Sequence, residues 1–355
     1  MTVADLDLMI GQMIMTGFRG LTVQSGSSVV RDIAERHVGA VVLFDYDVSQ
    51  NIPLMNVESP RQLRALNDAL QSYAPTPLII GIDQEGGTVN RLKEDRGFPP
   101  SRSAHELGTL NDLDKTREYA ELTAAALARA GISINFAPAV DLNINPDNPI
   151  IGKRLRSYSA DPDIVTAHAI EVIGAHHRYG VLTTLKHFPG HGSSAHDTHL
   201  QFVDVTPFWH ETELDPYRNI IARGLCDSVM TAHVFHGELD PDFPATLSKK
   251  IITGILREQL GFDGVVISDD MQMRAISNNF GLETAVYHAI EAGVDILSFG
   301  NNMLNDPLIV ERAIGIVRNL IHKGHLTPER VERSYLRIAV LKQRHAALSL
   351  SRTEP

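Results

Sequence analysis

The stretch DPDIVTAHAIEVIGAHHRYGVLTTLKHF, Asp161 to Phe188, changes its period part-way along. From Asp161 to Gly180 apolar residues recur at helical spacing, and Gly180 stands where a helix is most easily stopped. From Leu182 to Phe188 a short apolar and β-branched run follows, which suits a buried strand. A helix that feeds directly into a strand is half of a βα repeat. The strand ends in Lys186 and His187, so polar chemistry sits at its C-terminal end.

Outward from this stretch the same alternation recurs along the chain. Candidate strands are MIMTGF (Met13 to Phe18), GAVVLF (Gly39 to Phe44), LIIGID (Leu78 to Asp83), INFAPAVD (Ile134 to Asp141), LTTLKHF (Leu182 to Phe188), SVMTAH (Ser228 to His233), VVISDD (Val265 to Asp270) and DILSFG (Asp295 to Gly300). Between them lie amphipathic segments such as SPRQLRALNDALQSYA and DKTREYAELTAAALARAG, the latter ended by Gly131. Eight βα units with nearly continuous apolar strands predict a TIM-type (β/α)8 barrel of the α/β class. Two more helical segments, PLIVERAIGIVRNLIHKG and TPERVERSYLRIAVLKQRHAAL, follow the last strand and pack outside it. An open doubly wound sheet is the competing architecture. It is disfavoured because no Gly-rich phosphate fingerprint follows the early strands. With no linker, low-complexity tract or short repeat, the reading is one catalytic barrel domain over residues 1–355.

Composition limits the function. A hydrophobic content of 43% with 21% charged residues describes a folded protein with a large core. A formal charge of -11 without a basic run argues against a nucleic-acid or anionic-membrane partner. Cys226 is the only cysteine, so neither an internal disulfide nor a Cys-based zinc site can form. The N-terminal MTVADLDLMIGQMIMTGF carries acidic residues where a secretion signal carries basic ones. The expectation is a soluble, cytoplasmic monomer without a cofactor, or a periplasmic or secreted one if a leader was removed.

In a barrel all strand ends meet on one face, so Asp83, Asp141, His187, His233 and Asp269 should surround one pocket. VVISDDM ends in two carboxylates: strand alternation lets only one face the pocket, and Asp269 is taken as that one while Asp270 caps the next helix. KHFPGHGSSAHDTH, Lys186 to His199, admits three readings: a metal site through His187, His191, His196 and His199, a proton-transfer device, or a solvated loop. Pro189, Gly190 and Gly192 argue against a helix that would aim the imidazoles at one ion. Asp197 and His199 form an Asp-x-His pair, in which the carboxylate orients the ring and leaves one nitrogen to exchange a proton. GIDQEGGTVNRL contributes Asp83 and Arg91, and NPDNPIIGKR contributes Lys153 and Arg154. Converging charges and donors of this kind suit a polyhydroxylated ligand.

These residues resemble glycoside hydrolase family 3, in particular its compact bacterial β-N-acetylhexosaminidases. The resemblance rests on GQMIMTGFRG, GIDQEGGTVNRL, NPIIGKR, KHFPGHG, DTH, FPATLSKKIITGILREQLGFDGVVISDDM and AGVDILSFGNN, which span nearly the whole chain. It implies a retaining exo-β-N-acetylglucosaminidase acting on peptidoglycan fragments or chitooligosaccharides. Asp269 would be the nucleophile and His199, oriented by Asp197, the general acid/base. Asp83, Arg91, Arg154, Lys186 and His187 would hold the terminal N-acetylglucosamine, with no metal. Because a neutral imidazole does not repel an anionic acceptor, a β-N-acetylglucosaminide phosphorylase is the nearest alternative. A metal-dependent barrel hydrolase and a non-catalytic glycan-binding barrel are alternatives from other classes. One departure from the family is DYDVSQNIPLMNV, Asp45 to Val57, which lengthens the loop after the second strand on the active-site face.

Overall fold

The computed structural model describes residues 3–351. Its main sheet contains β1 (Ile14–Gly17), β2 (Ala40–Leu43), β3 (Ile79–Ile82), β4 (Ile134–Asn135), β5 (Leu182–Phe188), β6 (Ser228–Thr231), β7 (Val265–Ile267) and β8 (Leu297–Phe299). Each lies inside the run predicted for it. Each strand from β1 to β6 pairs in parallel with the next, and β8 returns to pair with β1. Between β7 and β8 the ring closes through a parallel bridge of Ile267 with Ile296. The Asp295 and Ile296 N–H groups donate to Val266 O there, at 2.8 and 3.0 Å. Closure leaves no free edge strand in this sheet among the described residues and sets aside the open sheet.

The apolar side chains of the strands divide between two packing layers, as the pleat requires. Val41 and Leu43 of β2, with Ile80 and Ile82 of β3, pack against Leu63, Leu66 and Leu70 of the helix Pro60–Tyr73. Ala40 and Val42, which alternate with them, belong to the other cluster with Phe136 and Val140. A Cβ on Gly81 would lie 2.4 Å from Cζ of Phe136, so that ring occupies the space a β3 side chain would take.

The helices start and stop where their chemistry allows. The Ser59 hydroxyl accepts from Gln62 N, with Pro60 in the first turn. The carboxylates of Asp112 and Asp161 likewise cap the helices Leu113–Ala130 and Pro162–Arg178. Gly131 ends the first of these at φ 77°. After β8 come the helices Ile309–His322 and Pro328–Ser351. The last one docks through arginines onto two carboxylates that precede β8 and β6. Arg330 donates to Ile290 O and Val294 O at 2.8 Å each, Arg337 lies 3.5 Å from Asp295, and Arg344 lies 2.6 Å from Asp227. Those anchors sit at the N-terminal ends of the strands, on the face opposite the pocket. Among the described residues no helix is long and apolar enough to cross a membrane.

Two features were not predicted. Val203–Asp204 and Val234–Phe235 form a small separate parallel pair that ties the segment after β5 to the segment after β6. The lengthened loop after β2 is fastened rather than splayed. Asp47 takes the Arg19 guanidinium at 2.5 Å, Val48 N donates to Asn302 Oδ1 at 2.7 Å, and Ser49 N donates to Asn302 O at 3.0 Å.

Candidate active site

A continuous chain of ion pairs joins the ends of β3, β4 and β5. Lys186 Nζ lies 2.7 Å from Asp83 Oδ1 and 2.6 Å from Glu85 Oε1. Glu85 holds Arg156 through two bonds of 2.8 and 2.7 Å. Arg156 Nη2 lies 3.1 Å from His187 Nε2, and His187 Nδ1 lies 2.7 Å from Asp141 Oδ2. A guanidinium offers only protons, so His187 Nε2 accepts and Nδ1 donates to the Asp141 carboxylate. Lys186 is 1% exposed. Burial would discharge it, but the charges of Asp83 and Glu85 prevail and raise its pKa. Burial likewise opposes the Glu85 carboxylate, yet Arg156 and Lys186 hold it well below the usual range. The network is therefore charged and largely buried, and its ion pairs hold its side chains in place.

Arg91 enters from the loop after β3. Its Nη2 is 3.9 Å from Asp83, its Nη1 is 3.5 Å from Asp45, and the guanidinium lies 5.8 Å from the Phe44 ring centroid. Asp45 also meets Lys93 at 3.6 Å, so the first residue of the lengthened loop helps to place Arg91.

Asp269 follows β7 and is partly exposed, with Oδ1 accepting from Asp270 N at 2.8 Å. Burial would raise its pKa, but the imidazoles of His233, His187 and His199 and the Asp270 N–H outweigh that and lower it. Asp270 faces the opposite outcome. Its Oδ1 accepts from Gln272 N and Gly300 N, each at 3.0 Å, while burial and the neighbouring Asp269 charge push it up to about 6. Asp270 thus braces a turn against β8. It does not cap the helix Arg274–Ser277, which starts without a side-chain cap, and that corrects the expectation for this residue. His233, fully buried at the end of β6, lies 3.0 Å from Asp270 O through Nε2, so that nitrogen donates.

The Asp-x-His pair forms as expected. His199 Nδ1 lies 2.7 Å from Asp197 Oδ1, and the same oxygen accepts His199 N at 2.8 Å. The ring is 40% exposed, which leaves its far side open to the pocket. Burial would raise the Asp197 carboxyl, but the His199 contacts, with help from the Arg154 charge, lower it. His199 also lies close enough to Asp269 to lower the pKa of that carboxyl.

Asp83, Arg91, Lys186 and His187 therefore share one network at the strand ends, and His187 and His199, the latter held by Asp197, lie close enough to Asp269 to lower its pKa. Arg154 stands apart. Its side chain is exposed on the rim near Asp197, and its carbonyl oxygen accepts from Thr88. The buried arginine of the network is Arg156, two residues on. Sequence reasoning missed Arg156 and Glu85, although KRLR and DQE each offered two like candidates at i and i+2. The loop histidines are engaged separately: His187 by Asp141 and Arg156, His191 by Ser194 and Thr198, and His199 by Asp197. Among the described residues no group of three or more His, Cys, Asp or Glu side chains could hold a metal ion.

Comparison with known proteins places the chain in a family. The chain is 36% identical over 304 residues to a β-hexosaminidase of Xylella fastidiosa, covering 83% of this chain and 86% of that one. It is 32% identical to β-hexosaminidase A of Pseudoalteromonas piscicida over 87% of this chain, but spans only 54% of that protein. The structure of a glycoside hydrolase family 3 β-N-acetylglucosaminidase from a Paenibacillus species superposes with a TM-score of 0.87 at 36% identity, covering 98% of this chain and 63% of that one. The family model described as the glycosyl hydrolase family 3 N-terminal domain matches residues 5–341, and the chain belongs to that family.

Proposed function

We propose that this chain is a retaining exo-β-N-acetylglucosaminidase that removes terminal β-linked N-acetylglucosamine from peptidoglycan fragments or chitooligosaccharides. The observation that carries the reading is the pairing, in one pocket, of an ionised and largely unengaged Asp269 with a His199 ring held by Asp197. Asp83, Arg91, Lys186 and His187 hold the terminal sugar, and Arg154 reaches it from the rim. Asp269 attacks the anomeric carbon while His199 gives its proton to the departing oxygen. His199 then takes a proton from the water that releases the glycosyl-aspartate, and two inversions retain the β-configuration. The protein works as one catalytic barrel unit, a monomer acting on carbohydrate without a cofactor.

The phosphorylase reading keeps every residue role and changes only the acceptor, because the imidazole carries no negative charge to repel phosphate. One assay separates the two: release of 4-nitrophenol from its β-N-acetylglucosaminide, compared with the β-glucoside, with and without phosphate. Preference for the acetamido sugar, free N-acetylglucosamine as product and no response to phosphate support hydrolysis. A sugar 1-phosphate product establishes the alternative. Turnover of neither glycoside removes both.

A further inference from the structure

The loop that carries Asp197 and His199 consists of a fixed half and an outlying half. From Pro189 to Ser194 it is held on both sides. Asn148 Nδ2 donates to His191 O at 2.7 Å, Gly192 N donates to Glu213 Oε2 at 3.0 Å, and Trp209 Nε1 donates to Pro189 O at 3.2 Å. His191 N donates to Asp141 Oδ1 at 2.8 Å, which ties this half to the network itself. A Cβ on Gly192 would stand 1.7 Å from Leu142 O, so the chain lies directly on the loop after β4. Beyond it Ala195 and His196 are exposed, and the backbone turns back to a buried Thr198 next to His199.

The His191 imidazole spans the two halves. Its Nδ1 is 2.7 Å from Ser194 Oγ and its Nε2 is 3.2 Å from Thr198 Oγ1. The tautomer of the ring sets the direction of both bonds, and in either tautomer the imidazole links Ser194 to Thr198. Ser194 Oγ accepts from Asn148 Nδ2 at 3.1 Å, and His191 O at 3.1 Å, His196 O at 3.4 Å and the ring Nδ1 lie within reach of its own proton. Burial pushes the ring down to about 4, so at neutral pH it is uncharged, with one nitrogen donating and the other accepting across the two contacts. The outlying half has one further tie at this residue, Ala275 N to Thr198 O at 3.3 Å.

We propose that His191 is a positioning residue for the proton transfer: through Thr198 it sets the place of the His199–Asp197 pair relative to the leaving oxygen. The inference rests on His199 being the general acid. A ring displaced by an ångström still admits substrate but transfers its proton poorly. Loss of the strut should therefore resemble a weak version of losing the acid. It should slow glycosides with poor leaving groups more than activated aryl glycosides.

The test compares kcat/KM for 4-nitrophenyl β-N-acetylglucosaminide and for the N-acetylglucosamine disaccharide in His191→Ala, Thr198→Val, Thr198→Ser and His199→Ala. Thr198→Val cuts the same link from the other end with almost unchanged shape, so it decides the question if His191→Ala does not fold. The aryl-to-disaccharide ratio should rise about tenfold in Thr198→Val and His191→Ala, stay near wild type in Thr198→Ser, and rise about a hundredfold or more in His199→Ala. The double variant His191→Ala/Thr198→Val should be no worse than the more impaired single one, since both remove one interaction. A wild-type ratio in Thr198→Val beside a large bias in His199→Ala overturns the strut and leaves the acid assignment standing. An unbiased His199→Ala overturns both.

Discussion

Asp270 gives its backbone N–H to Oδ1 of Asp269 at 2.8 Å, and this contact joins two adjacent carboxyls of opposite character. Asp269 sits among three imidazoles and is held below its usual pKa, whereas Asp270 is turned into the protein, bonded to the N–H groups of Gln272 and Gly300, and pushed up to about 6. Asp269→Ala should therefore abolish turnover with the thermal transition nearly unchanged. Asp270→Ala should keep measurable turnover but lose about 1–3 kcal/mol of stability, because two buried N–H groups lose their acceptor. Kinetics and urea unfolding on both variants check this, and reversed phenotypes would mean that the nucleophile is Asp270.

Asp197→Asn keeps the shape of the group that orients His199 and withdraws its charge. An amide can also present its NH2 to the ring and select the wrong tautomer. The variant should lose activity on a disaccharide by about a hundredfold or more and retain much more on an aryl glycoside with a good leaving group. Equal losses on the two substrates would assign Asp197 to substrate binding.

The two arginines of KRLR should behave oppositely. Arg156 and Glu85 have side chains that are 9% and 6% exposed. Removing the guanidinium in Arg156→Met takes two charge-assisted bonds from the buried Glu85 carboxylate and leaves it to Lys186, at a cost of about 1.5–3 kcal/mol. Arg154→Ala removes a rim residue and should change stability by less than about 0.5 kcal/mol. A raised KM in Arg154→Ala would support its proposed contact with the substrate, and an unchanged KM would remove it from the site.

Glu213 supplies the carboxyl beneath Gly192, and burial pushes it up from 4.5 to about 8, with the Asp141 charge adding to the rise and Ser193 opposing it. A folded-state pKa above the unfolded one means that the native state holds the proton longer. The stability from the protonated form is complete below pH 4.5 and is lost as pH rises through about 8. Urea midpoints should therefore decline over that interval in the wild type and decline less in Glu213→Gln, which is neutral throughout. Matching slopes in the two proteins would show that Glu213 ionises normally.

Much of this protein was legible in its sequence because the signals are local. All eight barrel strands lie within short apolar and β-branched runs, a pattern that suits strands buried on both faces. Gly131 and Gly180, read as helix stops, both stand at the ends of their helices in the left-handed region, because such a stop is set by the residue's own backbone freedom. The parallel order then brings Asp83, Lys186, His187 and Asp269 to one face without further information.

What tertiary structure decided was which of two similar neighbours faces the pocket. Leu155, in a left-handed conformation at φ 58°, turns the chain between Arg154 and Arg156, and that turn leaves one arginine in solvent and puts the other against Glu85. The bracing role of Asp270 depends on Gly300, thirty residues away in sequence and contributed by the next strand. The His191 strut likewise depends on Asn148 and Asp141 from another loop. Periodicity and capping arise from contacts within a few residues of one another, so the sequence by itself could specify them. The direction of a side chain in a loop is set by partners brought in from elsewhere in the barrel, and those partners are assembled only when the ring closes.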